Sequence, residues 1–374
     1  MNLAINRRGF LGALALPLAS CATRRAAIQT PNSIAAGRRF PPVLVSNDRV
    51  IRTVVGLRPY RPSGFVVRAE NMDGKLIVHN YGHGGGGITL SWGTAHLATL
   101  LALQNGATKM AVLGAGAVGL ATARLLQERG IDVTIYTKAL PPETTSNIAG
   151  GQWFPATVFE NAHATPEFLT QFVAAARFAY RRYQLMVGEY YGIHWYPNYF
   201  MSETPFSSEG LSSKQSIIAD CLPEIRELSP KEHNFPFHYV RQMDTMFIQP
   251  SIYLEAMLRE FRLAGGVIQV REMHDLREVT ALPQPVIVNC TGLGAKALFN
   301  DAELVPIKGQ LTILLPQPEV EYAAMPPDLY MFPRRDGILL GGTHERGVWD
   351  LEPNREAEAR IIAGHAAMYN QMRA

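Results

Sequence analysis

The hexapeptide Gly114-Ala115-Gly116-Ala117-Val118-Gly119 constrains the fold more than any other feature of this chain. A strand-like run from Met110 to Leu113 precedes it, a helical pattern from Gly119 to Glu128 follows, Gly130 stops that helix, and a second strand runs from Asp132 to Tyr136. Between a strand and a helix, each glycine has a task. The first turns the chain tightly and the second lets the backbone approach a pyrophosphate. The third lets helix and strand pack closely, while amides at the helix start face the phosphates. In isolation the pattern is weak, but in this setting it predicts a dinucleotide-binding unit, with Gly114, Ala115, Gly116, Val118 and Gly119 as candidate cofactor contacts. Such a fingerprint usually opens the chain. Here a second glycine-rich run, Asn80-Tyr81-Gly82-His83-Gly84-Gly85-Gly86-Gly87, stands in front of it.

The expected unit lacks one part. An acidic residue should end the second strand and bind ribose hydroxyls, yet Tyr136 is followed by Thr137 and Lys138. A basic residue there would suit a 2′-phosphate, so an NADP-dependent dehydrogenase remains an alternative on this reading.

With 374 residues, 47% hydrophobic and 18% charged, the chain is long enough for two domains with real cores. The net charge of +3 falls further if Arg7 and Arg8 leave with a leader, and nothing in that balance suggests a nucleic-acid partner. Asn6-Arg7-Arg8-Gly9-Phe10-Leu11 resembles a twin-arginine export signal, and the apolar stretch to Ala19 is too short for a permanent span. Leu18-Ala19-Ser20-Cys21 is similar to a lipoprotein box whose Cys21 becomes lipidated; a cleaved signal with an incidental cysteine is the alternative. Export of a folded chain suits a protein that acquires its cofactor first. The expected location is therefore periplasmic or on the cell surface, anchored to a bacterial membrane. Residues 22–37 read as a flexible tether. Cys221 and Cys290 are expected to stay unpaired, with Cys290 packing as a small hydrophobe.

Further strands are expected at Arg49–Val55, Lys75–His79, Val267–Arg271, Val286–Asn289, Leu311–Leu315 and Gly337–Gly341. Helical spacing marks Ser91–Leu103, Phe168–Tyr191, Tyr253–Ala264 and Glu356–Met372, whereas 192–248 mixes aromatics with turn residues. His79 and His83 are spaced by four but sit in a glycine loop with no third ligand in view, so no metal site is expected.

Beyond the second strand lies Pro141-Pro142-Glu143-Thr144-Thr145-Ser146-Asn147-Ile148-Ala149-Gly150-Gly151-Gln152-Trp153-Phe154-Pro155. With Val288-Asn289-Cys290-Thr291-Gly292, Gly56-Leu57-Arg58-Pro59-Tyr60-Arg61-Pro62, the His79–Gly87 loop and Gly341-Gly342-Thr343, it resembles the FAD-dependent D-amino-acid oxidase family, which includes D-aspartate oxidases. In that family the fingerprint comes first, and the arginine-proline segment and glycine loop come last. The present order reads as a circular permutation, closed through Gln104-Asn105-Gly106-Ala107-Thr108 and opened between Ala374 and about residue 38.

The resemblance implies an α/β fold: a Rossmann-type FAD-binding domain plus an α+β substrate domain with a mixed or antiparallel sheet, D-amino-acid-oxidase-like and circularly permuted. Residues 1–21 are then the signal, 64–158 with 244–299 the FAD-binding domain, and 38–63, 159–243 and 300–374 the substrate domain. It also implies roles. Arg58 forks onto the substrate carboxylate, Tyr330 adds a second bond there, and the Gly85 carbonyl accepts from the substrate amine. Thr144, Thr145, Ser146, Gly150, Gly151 and Gln152 line flavin and pyrophosphate, joined by Thr291, Gly292, Gly84, Gly85, Gly86, Gly87, Ile88 and Thr89. The implied reaction is oxidative deamination of a D-amino acid to a 2-oxo acid and ammonia, with electrons passing to oxygen or a membrane acceptor. An oxidase of another amine, such as glycine, fits the same motifs, and a lipoprotein that only binds D-amino acids would keep Arg58. Acidic substrates are conceivable because Arg334 and Arg335 follow Tyr330, although exposed hairpin charges are the commoner explanation.

Overall fold

The structure is a computed structural model that describes residues 39–206 and 216–372. The expected leader, Cys21 and the tether lie outside the described residues. In chain order the strands are β1 (Val50–Tyr60), β2 (Val66–Met72), β3 (Lys75–Tyr81), β4 (Lys109–Leu113), β5 (Asp132–Thr137), β6 (Ile193–Ser202), β7 (Arg226–Leu228) and β8 (Tyr239–Ile248). They continue with β9 (Val267–Val270), β10 (Val286–Asn289), β11 (Val305–Leu314), β12 (Ala323–Met325), β13 (Tyr330–Arg334), β14 (Gly337–Gly341) and β15 (Glu345–Arg346). The long helices are α1 (Gly87–Leu103), α2 (Ala117–Gln127), α3 (Pro166–Gln184), α4 (Pro250–Leu263) and α5 (Arg355–Asn370).

One sheet has the order β2-β3-β10-β4-β5-β9 and is parallel from β3 to β9, with β2 antiparallel at the edge. Parallel strands covered on both faces read as continuous apolar runs, and β4 and β10 are such runs. Val78, Val112 and Val288 face a core shared with α1, α2 and α4, whereas Ile77, Ala111 and Ile287 face a second cluster with Val279 and Leu282. The helix α3 also belongs to the first core through Phe168, Phe172, Ala175 and Ala176. It packs with α1 and α2 in that core, which also takes in Ile193, Met246 and Ile248 of the second sheet. Thr165 caps α3 and Pro166 starts it. It ends at Gln184, short of Tyr191, because Gly188 and Ile193 exchange backbone bonds and turn the chain into β6.

The second sheet runs β1-β11-β14-β13-β12-β6-β8-β7, with β15 added beside β11. It is mixed: β12 and β6 are parallel, the other pairs antiparallel. Pro59 is tolerated because β1 is an edge strand, bonded on one side to β11. One face packs Leu340, Met331 and Ala324 with Ile361 of α5; the other carries Leu311, Leu339 and Phe332 with Tyr330 at its margin. At the two ends of 192–248, whose pattern named no element, β6 and β8 form a ten-residue pair from Ile193↔Ile248 to Ser202↔Tyr239.

Cys221 and Cys290 are both buried and free, Cys290 within the first core. His83 in the glycine loop and His365 on α5 are buried imidazoles, held by burial at about 3 and about 4 against an ordinary 6.5. Above pH 6.5 both are neutral folded or unfolded. Below it the unfolded chain takes protons that the folded one refuses, so stability falls as pH drops from 6.5 toward the folded values. Each is expected to cost roughly 2 kcal/mol between pH 7 and 5. A Tm unchanged between those pH values would contradict it.

Candidate active site

The nucleotide end is built by backbone proximity. Gly114 has φ +101 and donates to Tyr136 O at 2.7 Å; a Cβ on it would stand 2.7 Å from Cys290 O. A Cβ at Gly119 would stand 2.0 Å from Gly114 O, so nothing larger than hydrogen fits between helix and turn. The start of α2 at Ala117 has no side-chain cap from Gly116. Instead Ser146 reaches across, and its Oγ accepts from Ala117 N–H at 3.0 Å. Open amides, a glycine cradle and a neutral hydroxyl oxygen against them fit a pyrophosphate. Buried Ala115 and partly buried Val118 complete the turn.

At the end of β5 the Thr137 hydroxyl donates to Ala139 O at 2.7 Å, and Lys138 is exposed, its Nζ 3.7 Å from Glu272 Oε1 just past β9. The neighbouring strand thus sets an acid beside the lysine. This offsets the positive charge that a 2′-phosphate would need.

The segment after it is clamped to the second sheet. Thr144 donates to Asn147 Oδ1 at 2.8 Å and opens the turn Thr145–Ile148. Ile148 lies against Gly56 of β1, with a Cβ at Gly56 only 3.0 Å from it, and Gly150 leaves room for Phe332, 2.8 Å from its missing Cβ. Gly151 has φ +88 and its carbonyl accepts from Ile248 N at 2.8 Å. The Gln152 amide donates to buried Asn198 at 2.6 Å and contacts Met325 Sδ at 3.4 Å. Arg334, grouped with Arg335 as an exposed hairpin charge, is instead a strut: its side chain is 8% exposed, its Nε donates to Asp336 at 2.8 Å and its Nη1 to Ala149 O at 3.2 Å. Arg335 is exposed and pairs with Glu189.

The glycine loop meets this segment. Gly84–Gly86 form a single tight turn into α1; Gly85 is exposed and donates from its amide to Thr157 O at 3.0 Å, and Gly87 and Ile88 start the helix. Buried Thr89 donates to Gln152 O at 3.4 Å, so the two predicted flavin-lining stretches touch. His83 bridges backbone with Tyr60 and pairs through Nε2 with Thr94 at 2.8 Å. His79 donates from Nε2 to Glu70 at 2.6 Å and accepts at Nδ1 from Asn289 at 3.1 Å. Asn289 Oδ1 in turn accepts from the Thr291 amide and hydroxyl, which fixes the Thr291-Gly292 turn beside Pro59. Both histidines are therefore hydrogen-bonding struts.

Arg58 on β1 and Tyr330 on β13 stand on the same face of the second sheet. The guanidinium lies over Gly309 of β11, 2.5 Å from where a Cβ would be, and the phenol lies over Gly341 of β14, 2.1 Å from its Cβ position. Two glycines thus lay two long side chains flat toward each other, within hydrogen-bonding reach. Burial raises the Tyr330 pKa against the opposing pull of Arg58, so the hydroxyl remains a donor at neutral pH. Among the described residues, Arg58 Nη1 is buried without a hydrogen-bond partner. Gly309 went unrecognised in the sequence; a lone glycine inside an apolar strand, in Lys308-Gly309-Gln310, was its signal.

A Rossmann-type unit with an open helix start, beside a mixed sheet presenting a guanidinium with no carboxylate partner among the described residues, defines the class: an α/β dinucleotide-binding oxidoreductase. The family model described as FAD dependent oxidoreductase, DAO, matches residues 22–101 and 109–373, and the chain belongs to this family. It is 32% identical over 266 residues to the D-amino-acid oxidase of Streptomyces coelicolor, covering 70% of this chain and 77% of that one. It is 27% identical over 272 residues to the D-aspartate oxidase of Homo sapiens, with 70% and 75% covered. Among solved structures, glycine oxidase from Bacillus cereus superposes with TM-score 0.52 at 15% identity, covering 69% of this chain and 77% of that one. L-alpha-glycerophosphate oxidase from Mycoplasma pneumoniae, solved with FAD bound, gives 0.51 at 16%, with 71% and 79% covered. The protein is an FAD-dependent oxidoreductase, and its cofactor is FAD. This sets aside both the NADP alternative raised by Lys138 and a purely binding role. The family match begins at residue 22, inside the stretch expected as a tether.

Proposed function

We propose that this enzyme oxidises D-amino acids to 2-oxo acids and ammonia. The observation that carries this reading is Arg58: a partly buried side chain with no carboxylate partner among the described residues, its Nη1 buried, laid over Gly309 beside the Tyr330 hydroxyl. A planar fork of donors suits a substrate α-carboxylate, to which Tyr330 adds one bond. The Gly85 carbonyl, in the exposed part of the glycine loop, accepts from the amine. Three such points, one of them the α-carbon's own hydrogen aimed at the cofactor, fix which enantiomer reacts. FAD, when bound, supplies the two-electron acceptor. Thr144, Thr145, Ser146, Gly150, Gly151, Gln152, Thr291 and Gly292 with the 84–89 loop hold it, and Arg334, Phe332 and Asn198 brace that set from the substrate-side sheet. The imino acid leaves and hydrolyses. With D-alanine in air, equal amounts of pyruvate, ammonia and peroxide are expected. Pyruvate without peroxide would redirect the electrons to another acceptor, and turnover of L-alanine or only of glycine would overturn the substrate class.

We also propose that the chain is a circular permutation. The glycine loop and arginine-proline strand precede the fingerprint, and the family match falls into two stretches separated at 102–108. A gene placing 109–372 ahead of 39–103 is expected to yield folded, FAD-loaded protein; an insoluble product would count against it. Finally, Asn6-Arg7-Arg8 and Leu18-Ala19-Ser20-Cys21 support export and lipidation at Cys21. Incorporation of a labelled fatty acid that disappears in Cys21→Ala is the expected result, and label retained by that variant would refute it.

A further inference from the structure

Arg58 has no carboxylate partner among the described residues, whereas neighbouring arginines are already engaged: Arg61 with Asp301 and Glu303, Arg334 with Asp336, and Arg346 with Glu160. The last pair matters because of its register. Arg58 stands opposite Ile307 on β11, and Ile307 stands opposite Arg346 on β15. Residues directly opposite in antiparallel ladders point to the same face. Arg346 is therefore a second guanidinium on the face that carries Arg58.

Glu160 holds that guanidinium away. Arg346 Nη1 donates to Glu160 Oε1 at 2.8 Å, the Tyr60 hydroxyl donates to the same oxygen at 3.2 Å, and His163 Nδ1 lies 3.3 Å from Oε2. The Glu160 amide is fixed to Pro62 O at 2.8 Å, and Arg346 lies 5.4 Å from the centre of the Tyr60 ring. Tyr60 is two residues from Arg58 on the same face of β1, and its ring is packed on Gly84 of the glycine loop. The Arg346–Glu160 pair thus stands at the rim of the substrate site. Arg346 keeps the Glu160 carboxyl below its ordinary range, so it is ionised at neutral pH. His344, which feels both Arg58 and Arg346, is held below the ordinary imidazole value by burial first and by those two cations next, so it adds no positive charge there.

We propose that Glu160 is a specificity-determining residue: by occupying Arg346 it leaves the site one free guanidinium, enough for an α-carboxylate and not for a second, side-chain carboxylate. Monocarboxylic amino acids are therefore taken in preference to dicarboxylic ones. The inference rests on the D-amino-acid reading above. Its physical basis is twofold: the cation that would anchor a second carboxylate is neutralised, and the neutralising group itself repels that carboxylate.

The test compares kcat/KM for D-aspartate and D-alanine in the wild type, Glu160→Gln, Arg346→Gln and the double variant. In parallel, thermal stabilisation of each FAD-loaded protein by succinate and by propionate, carboxylates with no amine to oxidise, is measured. The wild type is expected to favour D-alanine and propionate. Glu160→Gln is expected to raise the D-aspartate to D-alanine ratio about tenfold and to bring succinate stabilisation up with it. Removing Arg346 as well should abolish that gain, and Arg346→Gln alone, which leaves the Glu160 carboxylate without its cation, should lower the ratio below that of the wild type. A wild type that takes D-aspartate as readily as D-alanine, a Glu160→Gln ratio that does not move, or a ratio that does not fall in Arg346→Gln alone would each overturn the proposal. If no D-amino acid is oxidised by any variant, the substrate reading fails, and the succinate and propionate series still decides the role of Glu160.

Discussion

Replacing Arg58 by leucine lowers kcat/KM for the best D-amino acid by about 10²–10³-fold while the protein keeps its FAD. The magnitude is that of removing one partner from a desolvated, hydrogen-bonded ion pair, about 2–5 kcal/mol. It should be large here because the guanidinium is held flat over Gly309, with Nη1 buried and no carboxylate to share it among the described residues. Arg58→Lys keeps the charge but loses the planar fork, so it is expected to recover only a small part of the activity. The FAD should stay bound because the contacts that position the 144–152 segment run through Ile148, Phe332, Arg334 and Asn198 rather than through Arg58. Steady-state kinetics on flavin-loaded protein reads the effect. Activity within threefold of wild type would remove Arg58 from the substrate site.

Gly119→Ala yields protein that holds FAD about 10–100-fold more weakly, the range expected for overpacking a close backbone contact by 1–3 kcal/mol. The added Cβ would stand 2.0 Å from Gly114 O and 2.8 Å from its carbonyl carbon, both backbone atoms that cannot rotate away. The turn must shift, and with it the amides at the start of α2 that Ser146 now meets. Equilibrium FAD titration followed by flavin fluorescence measures the loss; wild-type affinity in this variant would contradict the cradle.

The fingerprint, the helices α1 and α5 and the central strands β4 and β10 were legible because local pattern and burial agree there: the strands are buried on both faces and read as apolar runs. Both β6 and β8 were not, since their burial follows no strict alternation and places aromatics such as Tyr196 and Trp195 on partly open surface. Arg58 and Tyr330 were singled out by motifs, and the fold sets them side by side on one face of the second sheet. Gly309 and Asn198 were missed and Arg334 was read as an exposed charge, because what makes them matter is a partner far away in sequence: Arg58 on the neighbouring strand for Gly309, Gln152 for Asn198 and Ala149 for Arg334. Arg334 shows the limit most clearly. Its neighbour Arg335 has the same chemistry and an exposed position, and only the fold separates the two.

The central claim is that the Arg58–Tyr330 face receives a D-amino acid against bound FAD. It is tested most directly by adding D- and L-amino acids, one at a time and without oxygen, to the FAD-loaded protein while recording the visible flavin spectrum. Bleaching by D-isomers and not by their L-counterparts is the predicted result. A flavin that stays oxidised with every D-amino acid, or that L-isomers reduce equally fast, would contradict it.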